Sequence, residues 1–291
     1  MSNEAQIAYW NGEGGRKWAS HDRQMSQLLA PIADMLMEHA RVDGARAVLD
    51  VGCGGGSETL MLSRRLGPEA CVLGVDVSEP LLEVALQRQR EAGAAGEAIR
   101  FLRADAAALP YQQPVFDLLF SRFGVMFFDA PAAAFTHLRR SMLPGARLAF
   151  VCWQALADNP WTALPLAAAL TVLPKPPAPA PRAPGPFAFA ERDYIEALLA
   201  EAGWSDIRIA ARAVDMRWAD AGGREATTRE LLTTGPVGRL LAEASENQRQ
   251  AVYRVAGEAL APYYDGDALT LDGAVWLVTA RNYGDPAGAD A

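Results

Sequence analysis

The sequence predicts an α/β fold: a mostly parallel sheet covered by helices on both faces, preceded by a helical segment and carrying a helical insertion before its last strand. Three observations predict it. Short, nearly continuous apolar runs alternate with helical patterns between Val48 and Trp153, and strands of that kind are buried on both faces, as in parallel sheets. The first run ends in a cluster of glycines, Gly52 and Gly54 to Gly56. Beyond Trp153 the pattern changes to two alternating strands separated by a long stretch of helix formers.

Residues 1–44 form the helical lead-in. Met25, Leu28, Leu29, Ile32, Met35 and Leu36 recur at helical spacing and make one apolar stripe. The run before it, Tyr9-Trp10-Asn11-Gly12-Glu13-Gly14-Gly15, is too rich in glycine to be regular. Val48–Val51 is the first strand, followed by a helix around Glu58–Leu66. Cys71–Val77 is the second strand, and Ser78 caps a helix that has Pro80 in its first turn and runs to Ala92. Ile99–Ala104 and Phe116–Phe120 are the third and fourth strands. Asp129 is expected to cap a helix with Pro131 in its first turn, ending before Pro144-Gly145, and Arg147–Trp153 is the fifth strand.

Residues 174–186, PKPPAPAPRAPGP, are expected to be a stiff, exposed, extended loop, because proline fixes φ and lacks a donor. Glu191–Ala202 is helical and ends at Gly203. Ile207–Met216 and Leu271–Thr279 alternate like strands, and Arg229–Leu232, Val237–Glu246 and Gln250–Leu260 between them are helical. The expected organisation is therefore a helical N-terminal lid at 1–44, a ligand-binding core at 45–153, and the rest of the sheet at 154–291. That last part holds the proline-rich loop and a helical cap, residues 222–264, over the open end of the sheet.

A formal charge of −8 over 291 residues argues against a nucleic-acid partner, since such affinity rests largely on Lys and Arg neutralising phosphates. The N-terminus lacks a basic start followed by an apolar run, and no uncharged apolar stretch is long enough to span a bilayer. The expected location is cytoplasmic, with no membrane partner. Cys53, Cys71 and Cys152 are far apart, with no paired spacing for zinc or redox chemistry. They are expected to be buried structural thiols.

The chemistry is concentrated in Val48-Leu49-Asp50-Val51-Gly52-Cys53-Gly54-Gly55-Gly56-Ser57. A strand leads through a tight turn into a helix, and side chains are excluded where a ligand must approach the backbone. A dinucleotide fold makes a similar demand, but its GxGxxG fingerprint needs a sixth-position glycine. Counting from Gly52, Ser57 stands there. Asp76 closes the second strand, where a carboxylate can accept both ribose hydroxyl hydrogens; this supports a nucleoside without saying which.

At these residues the chain resembles the class I methyltransferases. Asp50-x-Gly52-x-Gly54-x-Gly56 matches their first motif, and Gly74-Val75-Asp76-Val77-Ser78 looks like their second. Arg103-Ala104-Asp105-Ala106 looks like their third and Phe116-Asp117-Leu118-Leu119-Phe120-Ser121 like their fourth. Leu143-Pro144-Gly145-Ala146-Arg147-Leu148 resembles their turn into strand five. The resemblance covers about residues 45–153 and is closest to the ubiquinone-biosynthesis-like branch that acts on small molecules. It implies a Rossmann-like, seven-stranded sheet with the last strand antiparallel, and S-adenosyl-L-methionine as cofactor. It further implies that Gly52 and Gly54 lie under the methionine part of the cofactor, with Cys53 also among the cofactor-binding residues, that Asp76 holds the ribose and that Val77 flanks the adenine. Asp105 and Ala106 then read the adenine edge, and Ser121 closes on the methyl-bearing end. Asp50 either touches the ligand or braces the turn through backbone N–H groups.

The implied reaction is methyl transfer to an O, N or C nucleophile of a small molecule, mainly by positioning and without metal. A nicotinamide-dependent oxidoreductase and a non-transferring adenosyl-binding protein are the alternatives. Relatives often carry histidines after strand four, but Arg122-Phe123-Gly124-Val125-Met126-Phe127-Phe128 stands here. His21 is the best-placed base, being near Tyr9–Trp18; His39 suits a helix C-terminus and His137 an exposed surface. Tyr9, Trp10, Trp18 and Phe123 are candidates for an apolar acceptor pocket, whereas Phe127 and Phe128 suit ordinary packing. Arg122 either meets an acidic substrate or the cofactor carboxylate, or makes a surface salt bridge. Residues 5–20 and 222–264 are the expected lid over the acceptor.

Overall fold

The structure is a computed structural model and describes residues 3–233 and 235–284. The chain opens with three helices, α1 (Glu4–Asn11), α2 (Glu13–Ser20) and α3 (Asp22–Ala40). The expectation that Tyr9–Gly15 is irregular is corrected. Only Gly12 interrupts the helices there, and Gly14 and Gly15 lie within α2, where larger residues would collide with neighbours. A Cβ at Gly14 would stand 2.5 Å from the Tyr9 ring, and one at Gly15 would strike the Trp10 carbonyl.

The alternating part follows: β1 (Ala47–Val51), α4 (Ser57–Leu66), β2 (Cys71–Asp76), α5 (Glu79–Glu91), α6 (Ala94–Glu97), β3 (Ile99–Arg103), β4 (Phe116–Arg122), α7 (Pro131–Arg139) and β5 (Met142–Trp153). Then come α8 (Pro160–Ala169), α9 (Arg192–Glu201), β6 (Ser205–Ala219), α10 (Arg224–Thr233), α11 (Gly235–Glu243), α12 (Glu246–Leu260) and β7 (Ala268–Arg281). The seven strands form one sheet in the order β3-β2-β1-β4-β5-β7-β6. β1 pairs in parallel with β2 and β4, β2 with β3, and β4 with β5. β7 is antiparallel to β5: Gly145 bonds Asn282 and Gln154 bonds Ala274, so numbers rise on one strand as they fall on the other. Val48, Leu49, Leu118, Leu119 and Phe120 are fully buried, as strands covered on both faces require.

The chain divides into two compact units. The first takes residues up to Cys152, Arg182–Ala211 and the stretch from Trp276 on; the second takes Trp153–Pro181 and Arg212–Val275. Within the second, α8 packs on α11 and α12, and Trp161 stacks between Trp153 and Trp218 at 4.9 and 6.3 Å. Of the three expected ranges, residues 1–2, 234 and 285–291 lie outside the described residues.

Several local expectations are corrected. Ala130, not Asp129, is the N-cap of α7, with no side-chain cap; the Asp129 N–H is instead taken by Asn3 Oδ1 at 3.0 Å. β5 begins at Met142 rather than Arg147, and β6 and β7 extend beyond both expected ends. Cys71 is exposed, whereas Cys53 and Cys152 are buried as expected; Cys71 begins β2, ahead of the covered middle of the sheet. Ser78 does cap α5, accepting from Leu81 N–H. No helix among the described residues is long and apolar enough to cross a membrane.

Candidate cofactor and acceptor site

The β1–α4 turn is set by backbone geometry. Gly52, Gly54 and Gly56 have φ of 69°, 52° and 75°, a region that side chains other than glycine enter only with strain. Their surroundings differ. A Cβ at Gly52 would stand 2.6 Å from the Gly124 Cα, and one at Gly56 would stand 2.7 Å from the Phe101 ring. These two glycines serve close packing inside the protein. A Cβ at Gly54 would meet nothing within 4 Å, so the turn presents Gly54 to open space, as a cradle for a ligand would.

Asp76 fixes the turn from the end of β2. Its Oδ2 accepts the Gly54 N–H at 2.8 Å and its Oδ1 accepts the Ser78 N–H at 2.8 Å. Each carboxylate oxygen has a second lone pair, so the group can still take hydroxyl donors. Burial pushes the Asp76 carboxyl above its usual range, against these backbone bonds. Cys53 turns its thiol inward, onto Leu82, Ala85 and Phe101, and burial raises its pKa well above normal. A thiol so placed is inert, and only the Cys53 backbone belongs to the turn.

Asp50 is 1 % exposed and accepts the Thr59 hydroxyl at 2.6 Å. Its carboxyl is pushed up to about 7, mainly by burial and also by the charges of Glu58 and Asp76, against the Thr59 bond and Arg122. The side chain that braces Asp50 is therefore Thr59. Arg122 points to neither the surface nor open space. Its Nε lies 2.8 Å from Glu58 Oε1 and its Nη2 donates to Oε2 at 3.0 Å, with side chains only 15 % and 5 % exposed. Burial works against Glu58 ionisation, but the Arg122 charge and bonds hold its carboxyl below the usual range. Of the expected alternatives for Arg122, the salt bridge is present, but buried rather than at the surface, and it binds the end of β4 to the start of α4.

Ser121 is fully buried. It donates to the Val51 carbonyl at 2.8 Å and accepts the Gly124 N–H at 3.2 Å, locking β4 onto β1 behind the glycine turn. Phe123 follows with φ 63°, unusual for an aromatic residue and found where structure around a site over-determines the chain. Farther along, Asp105 Oδ1 accepts the Ala107 N–H at 2.9 Å, and Ala106 is buried. A small cavity of about 100 Å³ lies beside Asp105, lined also by Asn3, Phe128 and Asp129.

The N-terminal aromatics gather around Trp10, which meets Tyr9 and Phe127 edge-on at 5.2 Å and Trp18 at 6.2 Å. All four rings are half-buried, so Phe127 joins this cluster rather than the core, while Phe128 is buried against Phe135. Sequence reasoning missed Asn11, which ties the segment to the residues that follow β2. Its Nδ2 donates to the Val77 carbonyl at 2.9 Å, and its Oδ1 accepts the Glu79 N–H at 3.0 Å. Glu58, Thr59 and Gly124 were also missed. Only Gly124, a glycine just past a strand end, carried a visible signal.

The histidines are placed apart. His21 sits between α2 and α3, with Nδ1 2.9 Å from the Lys17 carbonyl and 3.0 Å from Ser20 Oγ. His39 lies in the last turn of α3, as expected. His137 is not an exposed surface residue: it is half-buried, its Nε2 is 2.7 Å from the Leu109 carbonyl, and its ring lies 5.3 Å from that of Tyr111.

Residues 48–145, the segment that builds this site, match a methyltransferase domain family. The chain is 37 % identical over 129 residues to the demethylmenaquinone methyltransferase of Thermus thermophilus, covering 43 % of this chain and 57 % of that protein. It is 34 % identical over 112 residues to the ubiquinone/menaquinone biosynthesis C-methyltransferase UbiE of Azotobacter vinelandii, covering 38 % and 44 %. It spans about half the length of these curated relatives. In fold it resembles a putative methyltransferase of Bacillus halodurans, with TM-score 0.57 and 18 % identity over 87 % of this chain and 99 % of that one. It likewise resembles phosphoethanolamine N-methyltransferase 2 of Haemonchus contortus, with TM-score 0.58 and 14 % identity over 98 % and 60 %. Over residues 48–145 the chain is thus similar to methyltransferase domains, and over that stretch its curated relatives include quinone-biosynthesis methyltransferases.

Proposed function

We propose that the chain is an S-adenosylmethionine-dependent methyltransferase that acts on an O, N or C nucleophile of a small molecule, mainly by positioning. The observation that carries this is the glycine turn. Gly54 faces open space at positive φ while Asp76 holds its N–H and keeps lone pairs for ribose hydroxyls. The donor set fits the cofactor's parts: backbone under the methionine, Asp76 for the ribose, and Val77, Asp105 and Ala106 around the adenine. When bound, the cofactor supplies a methyl group on a sulfonium, already activated for displacement.

What the chain's own residues add is alignment. The Ser121 and Arg122–Glu58 contacts hold the end of β4 against the turn. The half-buried rings of Tyr9, Trp10, Trp18 and Phe127 offer an apolar, aromatic surface. Such a surface suits a flat aromatic acceptor of quinol type, the class that the names of the curated relatives point to. Excluding water there favours a displacement that needs only alignment.

Calorimetry with S-adenosylmethionine, S-adenosylhomocysteine and NAD tests the cofactor, with binding of the first two and not the third expected. Release of S-adenosylhomocysteine in the presence of phenols, amines and quinol precursors tests the transfer. Binding of NAD alone would overturn the proposal.

A further inference from the structure

Arg88 lies in the last turn of α5, and its side chain reaches across two elements. Nη1 donates to the carbonyl of Gly55 in the glycine turn, while Nη2 pairs with Asp22 Oδ2 at 2.5 Å. The two side chains are only 23 % and 12 % exposed. Asp22 begins α3, where a helix N-terminus favours negative charge. The Asp22 carboxylate fills the place that a side chain at Gly55 would occupy, so the third glycine of the run has a reason distinct from that of Gly54.

We infer that Arg88 is a positioning residue for the cofactor turn, fastening Gly55 to the first turn of α3 through Asp22. The inference rests on the assignment of the glycine turn to the cofactor. Arginine is required, because its planar fork presents two donors to a carbonyl and a carboxylate at once; lysine offers a single point charge. The clasp holds more than the turn. Asp22 directly follows the α2–α3 junction at His21. The other end of the N-terminal segment is pinned by Asn11 on Val77 and by the Ser78 hydroxyl on the Trp10 carbonyl, at 2.7 Å. The aromatic cluster thus hangs between two attachments, both on residues flanking the proposed cofactor. A weakened clasp misplaces the turn and frees α1 and α2, but leaves the reacting groups untouched.

The test compares Arg88→Met, Asp22→Asn, the double variant and Arg88→Lys. S-adenosylhomocysteine affinity is read by calorimetry, hydrogen exchange is read over residues 4–20, and KM and kcat are taken separately. Each single variant should weaken S-adenosylhomocysteine by about tenfold, the usual scale for a charge-assisted bond. Both should speed exchange in residues 4–20. The double variant should be no weaker than the worse single, and Arg88→Lys should not restore affinity. KM for the cofactor should rise, and kcat should fall with an unchanged pH profile, because α1 and α2 carry the aromatic acceptor surface while the reacting groups stay in place. Wild-type affinity and exchange in both folded singles, or losses that simply add in the double, would overturn the clasp. If the wild-type chain fails to bind S-adenosylhomocysteine, the proposed function falls instead. Exchange over residues 4–20 then decides the clasp by itself, since faster exchange in Arg88→Met sustains it and unchanged exchange overturns it.

Discussion

The glycine turn at Gly52–Gly56 and the aromatic segment at Tyr9–Trp18 belong to the same compact unit, yet they are built under opposite constraints. In the turn, nearly every residue is dictated by the backbone: positive φ at three glycines, a Cβ-to-Cα clash against Gly124, and a carboxylate holding the Gly54 N–H. In the aromatic segment, the backbone is ordinary helix and side chains do the work, with rings meeting edge-on around Trp10. On the proposed function, the difference teaches where the two halves of a transfer reaction leave their marks. A cofactor common to many enzymes is held by geometry that few residues satisfy. An acceptor is held by shape, which many combinations of apolar residues can provide.

The sharpest way to break this comparison is Gly54→Val. The new side chain has open space around it in the protein, so it collides chiefly with bound ligand. Cofactor affinity should fall by a hundredfold or more, on the order of the 3 kcal/mol expected where a close approach and a positive φ are both violated. Calorimetry with S-adenosylhomocysteine on a variant that retains its circular dichroism would check it. Unchanged affinity would mean that the open face of Gly54 is not the cradle.

Asp50→Asn comes next and separates stability from binding. The Asp50 carboxyl titrates near 7 in the folded chain, raised mainly by burial, whereas in the unfolded chain it titrates near ~3.9. Between these values the unfolded chain has lost the proton and the folded chain has kept it, so the group's contribution falls as pH rises and levels off above about 7. The drop amounts to about 4 kcal/mol at ~1.4 kcal/mol per pH unit. Asparagine keeps an acceptor for Thr59 and carries no charge. Asp50→Asn should therefore match wild type near pH 4 and exceed it at pH 8, as read by urea denaturation across pH. Equal stability at both ends would show that Asp50 titrates normally.

Asp76→Ala should have a smaller effect on folding but a clear one on the cofactor, about 2–3 kcal/mol or roughly 30- to 150-fold, from lost charge-assisted bonds. Two sources contribute, the ribose hydroxyls and the Gly54 N–H left without its acceptor. Comparing S-adenosylhomocysteine with free methionine would separate them, since only the first carries a ribose. A loss that is equal for both ligands would assign Asp76 to the turn alone.

The same contrast explains what the sequence made legible. The order of strands and helices was readable because buried parallel strands such as Val48–Val51 and Phe116–Phe120 are apolar at all positions but one, Asp50 and Asp117. The carboxylates Asp50, Asp76 and Asp105 were readable because strand ends and glycines mark their positions. The partners were not. Thr59 and Glu58 look like ordinary first-turn helix residues, and nothing local indicates that one binds Asp50 and the other Arg122. Asn11 sits in a stretch whose glycines suggested irregular chain, whereas Gly14 and Gly15 are there to let Tyr9 and the Trp10 carbonyl pack close. Long-range pairing, such as Asn11 with Val77 or Arg88 with Gly55, depends on how helices dock, and that is not written in any local pattern.

The smallest expected effects are those of the histidines, and they carry the mechanistic side of the comparison. If the aromatic segment works by shape, no single base is indispensable. His137 lies against the Leu109 carbonyl and the Tyr111 ring, and His39 is at the end of α3. His21 is the one nearest the aromatic segment in sequence, but its Nδ1 is already directed at the Lys17 carbonyl and Ser20, which orients the ring along its own helix junction. General-base assistance is typically worth ~10²–10⁴ in rate, and alignment of the reacting groups can supply more. His39→Ala and His137→Ala should each retain turnover within about tenfold, and His21→Ala should stay measurable, its loss coming from the α2–α3 junction rather than from proton transfer. Trp10→Ala should cost more than any of them, because it removes the ring that Tyr9, Trp18 and Phe127 share. Single-turnover kinetics at saturating cofactor, across pH, distinguishes the two kinds of loss. A shape defect lowers the rate at every pH and leaves the profile intact. A missing base lowers it by about three orders of magnitude and erases one limb of the profile, and that result for His21 would move the chemistry from the shape of the segment to one side chain.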